Sequence, residues 1–206
     1  MITHLFSHPL WKSKLKLDSE TKHHLLQQIE ENYQIFQDYV HPKWNCNVHS
    51  SCLENNEIDY TSLLKYINQQ YSEFSNLRQL KVHLYKIGGP WYNYYLNGSN
   101  QEPHSHADQD VIYSGVYFLK LNQDHPRITF YNTSGSFLYY EGQRQLLSLY
   151  DRSNIDHTNT CPFYDLNVSE DDLIFFPAYL SHGVYIQKTA EPRITISFNF
   201  VLDKHC

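Results

Sequence analysis

The spacing of apolar positions changes period once along the chain. Over residues 19–39, Leu25, Leu26, Ile29, Tyr33 and Phe36 recur at three- and four-residue steps, the period of a helix that buries one face. Asp18 or Ser19 supplies its N-cap. His41-Pro42 ends it, because proline disfavours helical geometry in the residue before it. A second helix is predicted over about residues 60–77, with Leu63, Leu64, Ile67, Tyr71 and Phe74 on one stripe. Beyond Leu77 the period shortens to two. Leu80, Val82, Leu84 and Tyr85 predict a strand that Gly88-Gly89-Pro90 closes. Further strands are predicted over residues 114–121, 127–131, 173–176, 184–186 and 193–201. In the last, Ile194, Ile196, Phe198 and Phe200 share one face, and Arg193, Thr195, Ser197 and Asn199 share the other.

Short strands after two helices, with no strand–helix–strand alternation, predict a mainly β fold: a sandwich or jelly roll with the helices packed outside it. The chain has 206 residues and neither repeat nor low-complexity linker, so a single domain over residues 1–206 is expected. Its helical N-terminal part would cover residues 1–78 and its jelly-roll core residues 79–206. Residues 132–168 read least clearly, as an insertion holding a hairpin and a loop. With 16 Lys+Arg against 22 Asp+Glu the net charge is −6, which argues against a nucleic-acid partner. No apolar run approaches the ~20 residues of a membrane helix. Met1-Ile2-Thr3-His4-Leu5-Phe6 has neither the basic stretch nor the apolar run of a signal peptide, so a cytoplasmic location is expected. Cys46, Cys52, Cys161 and Cys206 fit no zinc spacing and read as reduced structural thiols.

The chemistry-bearing residues fall in three places. Pro103-His104-Ser105-His106-Ala107-Asp108-Gln109-Asp110 alternates His and Asp, so an extended segment would present His104, His106, Asp108 and Asp110 on one side. Read alone, this cluster is equally compatible with an ordinary surface loop. His182 follows an apolar strand and a turn, in Phe175-Phe176-Pro177-Ala178-Tyr179-Leu180-Ser181-His182. Arg193 lies on the polar face of the last strand and, if buried, needs an anionic partner. Two imidazoles and a carboxylate on one face of a metal suit non-haem Fe(II), with open positions left for ligands. A buried arginine beside them would clamp a carboxylate through two parallel charge-assisted bonds.

These blocks together resemble the small 2-oxoglutarate/Fe(II) oxygenases related to prolyl 4-hydroxylases. The likeness runs from Leu5-Phe6-Ser7-His8-Pro9-Leu10-Trp11 through Trp91-Tyr92-Asn93, Pro103-His104-Ser105-His106 and Ser114-Gly115-Val116-Tyr117-Phe118-Leu119. It closes with Phe176-Pro177, His182-Gly183-Val184 and Arg193-Ile194-Thr195-Ile196-Ser197-Phe198-Asn199. The fold it implies is a double-stranded β-helix with the metal at its open end. The chain offers both His104-x-His106 and His106-x-Asp108. Counting back from Ser114-Gly115, the family spacing places His106 first and Asp108 third, which gives His106, Asp108 and His182 as ligands. His104 is then an alternate ligand or a partner that orients the carboxylate. By position, Arg193 would bind the distal carboxylate of 2-oxoglutarate and Thr195 would add a hydroxyl. Asn93 and Tyr85 stand where relatives place cosubstrate-binding groups, although Tyr85 reads equally well as a core aromatic.

The resemblance implies an Fe(II)-dependent dioxygenase. It would decarboxylate 2-oxoglutarate with O2 to succinate and CO2 while hydroxylating a peptide side chain or small molecule. Aromatic residues over 131–150 are candidates for the mouth of the site. Two other readings stay open: a cupin-like metal enzyme, which has no need of Arg193, and a non-catalytic jelly-roll binding module.

Overall fold

The computed structural model describes residues 8–38, 45–51, 58–79, 85–107, 110–132 and 163–202. Helix α1 (Ser19–Phe36) starts where predicted: the Asp18 carboxylate accepts the Thr21 N–H at 2.8 Å, which satisfies one of the orphan donors of a helix N-terminus. It buries Leu25 and Ile29. Helix α2 (Thr61–Arg78) buries Leu63, Ile67, Tyr71 and Phe74 of the predicted stripe and leaves Leu64 half-buried against the same core. His41-Pro42, the expected end of the first helix, lies outside the described residues, as do Leu80 to Leu84.

Ten strands are present among the described residues: β1 (Trp11–Lys14), β2 (His49–Ser50), β3 (Tyr85–Tyr95), β4 (Gln101–His104), β5 (Val111–Lys120), β6 (Ile128–Tyr131), β7 (Phe163–Asp165), β8 (Asp172–Pro177), β9 (Ser181–Val184) and β10 (Arg193–Leu202). They form a six-stranded sheet, β1-β8-β5-β10-β3-β2, and a four-stranded sheet, β4-β9-β6-β7. From β3 onward the chain passes back and forth between the two sheets, and the pairs within each are antiparallel. This is the double-stranded β-helix expected from the sequence.

The larger sheet is covered on both faces. On its outer face Ile194, Ile196, Phe198 and Phe200 of β10 join Tyr117, Leu173 and Phe175 against the apolar stripes of α1 and α2. Between the sheets, Val116, Phe118, Ile174 and Phe176 meet Ile128 and Phe130 of the smaller sheet. Removing these side chains from water supplies the main drive for closing both interfaces. The polar face of β10 therefore points into the barrel, where Arg193 and Thr195 are buried.

Of the strand boundaries that differ from the sequence reading, two bear on the site. Gly88-Gly89-Pro90 does not end a strand, because β3 runs through it to Tyr95. Its pairing with β10 shifts register between Ser197 and Asn199, where Gly88 and Trp91 are the flanking partners. The irregularity accommodates a proline that has no N–H to give the ladder. The strand expected over 184–186 instead spans Ser181–Val184, so His182 sits inside it. Its partners across the sheet, His104 on β4 and Phe130 on β6, fix that position.

Ion pairs tie the N-terminal part to the jelly roll. Lys22 of α1 reaches Glu170 and Asp171 at 2.7 Å each, and Tyr117 Oη donates to Asp171 at 2.8 Å. Strand β1 pairs with β8.

Candidate functional site

Strand register assembles the histidines. His104, the last residue of β4, lies directly across from His182 of β9, and their ring centroids are 4.4 Å apart. His106 follows two residues later, its N–H donated to the Ala178 carbonyl at 2.8 Å. Its ring lies 5.1 Å from that of His104 and nearly parallel to that of His182 at 5.3 Å. One ligating nitrogen from each of the three lies within 4.8 Å of the other two. Gly183 permits this approach: a Cβ there would meet the Gln101 carbonyl oxygen at 2.9 Å.

Hydrogen bonding sets the state of two of these rings. His104 Nδ1 stands 2.8 Å from the Glu102 carbonyl oxygen, and His182 Nδ1 stands 2.9 Å from that of Leu180. A carbonyl only accepts, so each Nδ1 carries the proton and each Nε2 keeps its lone pair. Burial holds His104 below the ordinary imidazole range. It holds His182 well below that range, with His104 and His106 adding to the effect. Both are thus neutral donors near pH 7, the form a metal requires.

Deeper in the barrel sits Arg193, only 1% exposed. It pairs in register with Tyr95 of β3. Its guanidinium lies 4.5 Å from the centre of the Tyr95 ring and 5.7 Å from that of Phe118. Nε and Nη1 are buried and have no hydrogen-bond partner among the described residues. Burial lowers its pKa, with Tyr95 opposing the shift, yet a guanidinium remains charged in proteins. Aromatic faces soften the cost of burying the cation, but two unused donors still call for an anion.

The other expected residues fall on either side of this axis. Thr195 is buried and in register with Asn93 and Phe118. Asn93 is buried too; its Nδ2 donates to Ser197 Oγ at 3.0 Å, and its Oδ1 has no partner among the described residues. Tyr85 heads β3 opposite Leu202, at the far end of the strand from Tyr95 and Arg193. Asp108 lies outside the described residues.

Reasoning from sequence gives no site role to Tyr95, Trp91 or Gly183, although Trp91 and Gly183 stand in the blocks that carry the family resemblance. Tyr95 donates to Gln101 Oε1 at 2.7 Å, and Trp91, paired with Ser197, stands 6.0 Å from the His106 ring. Their signal was the alternation Trp91, Asn93, Tyr95, which puts all three on one face of a strand. From Trp91 to Tyr95 such a strand advances about 14 Å, room for a short diacid and the side chain that anchors it.

Residues 89–199, which contain every one of these groups except Tyr85, match the family described as "Putative 2OG-Fe(II) oxygenase". The chain belongs to this 2-oxoglutarate/Fe(II) oxygenase family and is a dioxygenase that uses Fe(II), 2-oxoglutarate and O2. Solved structures share its fold. A prolyl-4-hydroxylase from Pseudomonas putida superposes with a TM-score of 0.60 at 12% identity, over 95% of this chain and 94% of that one. The collagen prolyl hydroxylase of Paramecium bursaria Chlorella virus-1, solved with 2-oxoglutarate, gives 0.56 at 13% identity, over 95% and 96%. HygX from Streptomyces hygroscopicus, solved with nickel and 2-oxoglutarate, gives 0.56 at 10% identity, over 95% and 83%. No curated protein matches the sequence. Among the described residues no helix is long and apolar enough to cross a membrane.

Proposed function

We propose that His104, His106 and His182 hold the iron and that Arg193 binds the distal carboxylate of 2-oxoglutarate, in an enzyme that hydroxylates a peptide side chain or a small molecule. The observation that carries this reading is the buried guanidinium of Arg193, whose Nε and Nη1 have no hydrogen-bond partner among the described residues, inside the same barrel as three clustered imidazoles. A metal centre alone gives no reason to bury a cation there. A dicarboxylate that chelates the metal at one end and meets the guanidinium at the other accounts for both.

The donor set fits the metal. Imidazole nitrogens suit iron(II), and the Nδ1 bonds to Glu102 and Leu180 supply the outer contacts that orient two of the ligands. The family spacing had put Asp108 where this reading puts His104. His104 is favoured because it faces His182 in register and has its free nitrogen toward the cluster. When bound, the iron supplies, with 2-oxoglutarate and O2, the oxidising power: the keto acid leaves as succinate and CO2, and one oxygen atom passes to the substrate.

The protein's own residues bind and orient. Arg193 fixes one end of the keto acid against the Tyr95 and Phe118 rings. Thr195 and Asn93, between Arg193 and the histidines on the inner face, offer a hydroxyl and an amide to its length. Phe130 and Phe176, at 6.0 and 4.8 Å from the His182 ring, keep water from the buried side of the cluster.

We place the whole of residues 1–206 in one domain, supported by the core that α1 and α2 share with the larger sheet. We assign it to the cytoplasm, where iron(II) and reduced thiols such as the buried Cys46 persist.

Anaerobic equilibrium dialysis against Fe(II) tests the ligand set. His104→Ala, His106→Ala and His182→Ala should each weaken binding at least tenfold, while Asp108→Ala retains it. Loss of binding in Asp108→Ala with retention in His104→Ala would restore His106, Asp108 and His182 as the triad and overturn this assignment.

A further inference from the structure

The Arg193 side chain is held by aromatic faces, but the backbone that carries it is fixed by two buried groups outside the site. Residues 185–192, which lead into β10, form neither helix nor strand. Within them, the Glu191 carbonyl oxygen accepts a hydrogen bond from Gln187 Nε2 at 2.7 Å. The same oxygen stands 3.0 Å from His125 Nε2. His125 Nδ1 accepts the Asn122 N–H at 3.1 Å, so the ring proton is on Nε2 and is donated to Glu191. Gln187 is fully buried, and its amide also donates to the Tyr95 carbonyl at 3.1 Å. Its backbone is bonded both ways to the β3–β4 turn, from its N–H to Ser99 and from the Gly98 N–H to its carbonyl, at 2.8 Å each.

One side chain thus bridges the strand that carries Tyr95 to the segment that delivers Arg193, at the last residue pair of their ladder. We propose that Gln187 and His125 are positioning residues for the distal carboxylate of the cosubstrate: together they fix the Glu191 carbonyl and, through it, the point at which Arg193 enters the sheet. Neither touches the cosubstrate. Their effect is geometric, because a binding constellation works only when held to within about 0.5 Å, and nothing else in this turn is tied down by buried side chains among the described residues. The inference rests on the reading of Arg193 as the carboxylate anchor.

The test compares two keto acids on the Mn(II)-loaded full chain: 2-oxoglutarate, and 2-oxopentanoate, which has the same carbon chain without the distal carboxylate. Wild type should prefer 2-oxoglutarate at least 100-fold. Gln187→Met removes both amide donors at similar volume, and His125→Phe removes the ring donor. Each should lower that ratio about tenfold, with affinity for 2-oxopentanoate and for Mn(II) unchanged. His125→Gln, which keeps a donor at similar reach, should restore most of it. An unchanged ratio in both Gln187→Met and His125→Phe overturns the proposal, as does an equal loss for the two keto acids, which would mark a merely structural role. Arg193→Ala separates the underlying reading. If it leaves the wild-type ratio intact, Arg193 is not the anchor; if it abolishes the ratio while Gln187→Met and His125→Phe retain it, only the positioning role falls.

Discussion

Replacing Gly183 by alanine should loosen the metal centre without touching a ligand. Gly183 lies between His182 and Val184, which face His104 and Gln101 across the β4–β9 pair. An added Cβ would stand 2.9 Å from the Gln101 carbonyl oxygen and 3.2 Å from the Glu102 carbonyl carbon and the Pro103 nitrogen. All three are backbone atoms, so no side-chain rotation relieves the contact. Ordinary contact begins near 3.4 Å, and β4 must therefore retreat by roughly 0.5 Å, the tolerance within which a functional constellation has to be held. The strain of such overpacking is about 1–3 kcal/mol. Its effect on the site should resemble the loss of a contact that orients a ligand, about 10–100-fold in metal affinity. Chelator competition with Mn(II) under anaerobic conditions reads that affinity, and urea denaturation on the same preparation shows that the variant is folded. A folded Gly183→Ala chain with wild-type metal affinity would refute the argument that this close approach sets the distance between His104 and His182.

Three further outcomes follow from the packing and charge of the fold. Gly115→Ala should be far more damaging, because its Cβ would fall 2.3 Å from the Phe198 ring in the outer core; a Tm lowered by less than about 4 °C, the most that ~1 kcal/mol shifts a domain of this size, would contradict it. Burial pushes His49 down to about 4, and its Nε2 donates to the Tyr92 hydroxyl at 3.0 Å, which in turn donates to Asn32 at 2.6 Å. The unfolded chain takes up this proton first, so the contribution is intact above about pH 6.5 and is lost as pH falls toward 4, by about 2 kcal/mol at pH 5. Urea midpoints at pH 7 and pH 5 should therefore converge in His49→Gln, and an equal drop in both chains would rule His49 out as the source. Arg193→Lys keeps the charge but gives up the planar fork, and should weaken 2-oxoglutarate binding at least tenfold by isothermal titration; wild-type affinity would show that paired donors are not what the site uses.

How much of this was readable beforehand depended on the range of the interactions involved. The helices were legible because their apolar stripes are local and their caps adjacent; Asp18 and the Leu63 to Phe74 stripe behave as their spacing dictates. The alternation along β10 was legible too, but its meaning needed the tertiary structure. Two layers compete for an apolar face, and it is the helices outside, not the facing sheet, that take Ile194 to Phe200. That choice turns Arg193 and Thr195 inward and makes the site. Short edge strands such as β1, β2, β4 and β7 carry no period of their own and exist only through their partners. The same holds for Gly88-Gly89-Pro90, a break signal absorbed by an irregularity opposite β10. The histidine cluster was legible by motif in all three members, His104 as the alternate ligand beside His106 and His182, but not its composition. The pairing of His104 with His182 is a register property of two strands 78 positions apart, which local spacing does not encode. Gln187 and His125 left no signal, since a glutamine and a histidine between strands look like surface residues until their burial is known.

The central claim, a metal held by clustered histidines beside an arginine anchor, is tested most directly by anaerobic titration of the Fe(II)-loaded chain with 2-oxoglutarate, followed by the visible charge-transfer absorption of an iron-chelated keto acid. The account predicts a band that saturates at one equivalent, is absent in His182→Ala, and needs at least 100-fold more 2-oxoglutarate in Arg193→Ala. A wild-type chain that binds Fe(II) yet gives no band, or a band indifferent to Arg193, would contradict it.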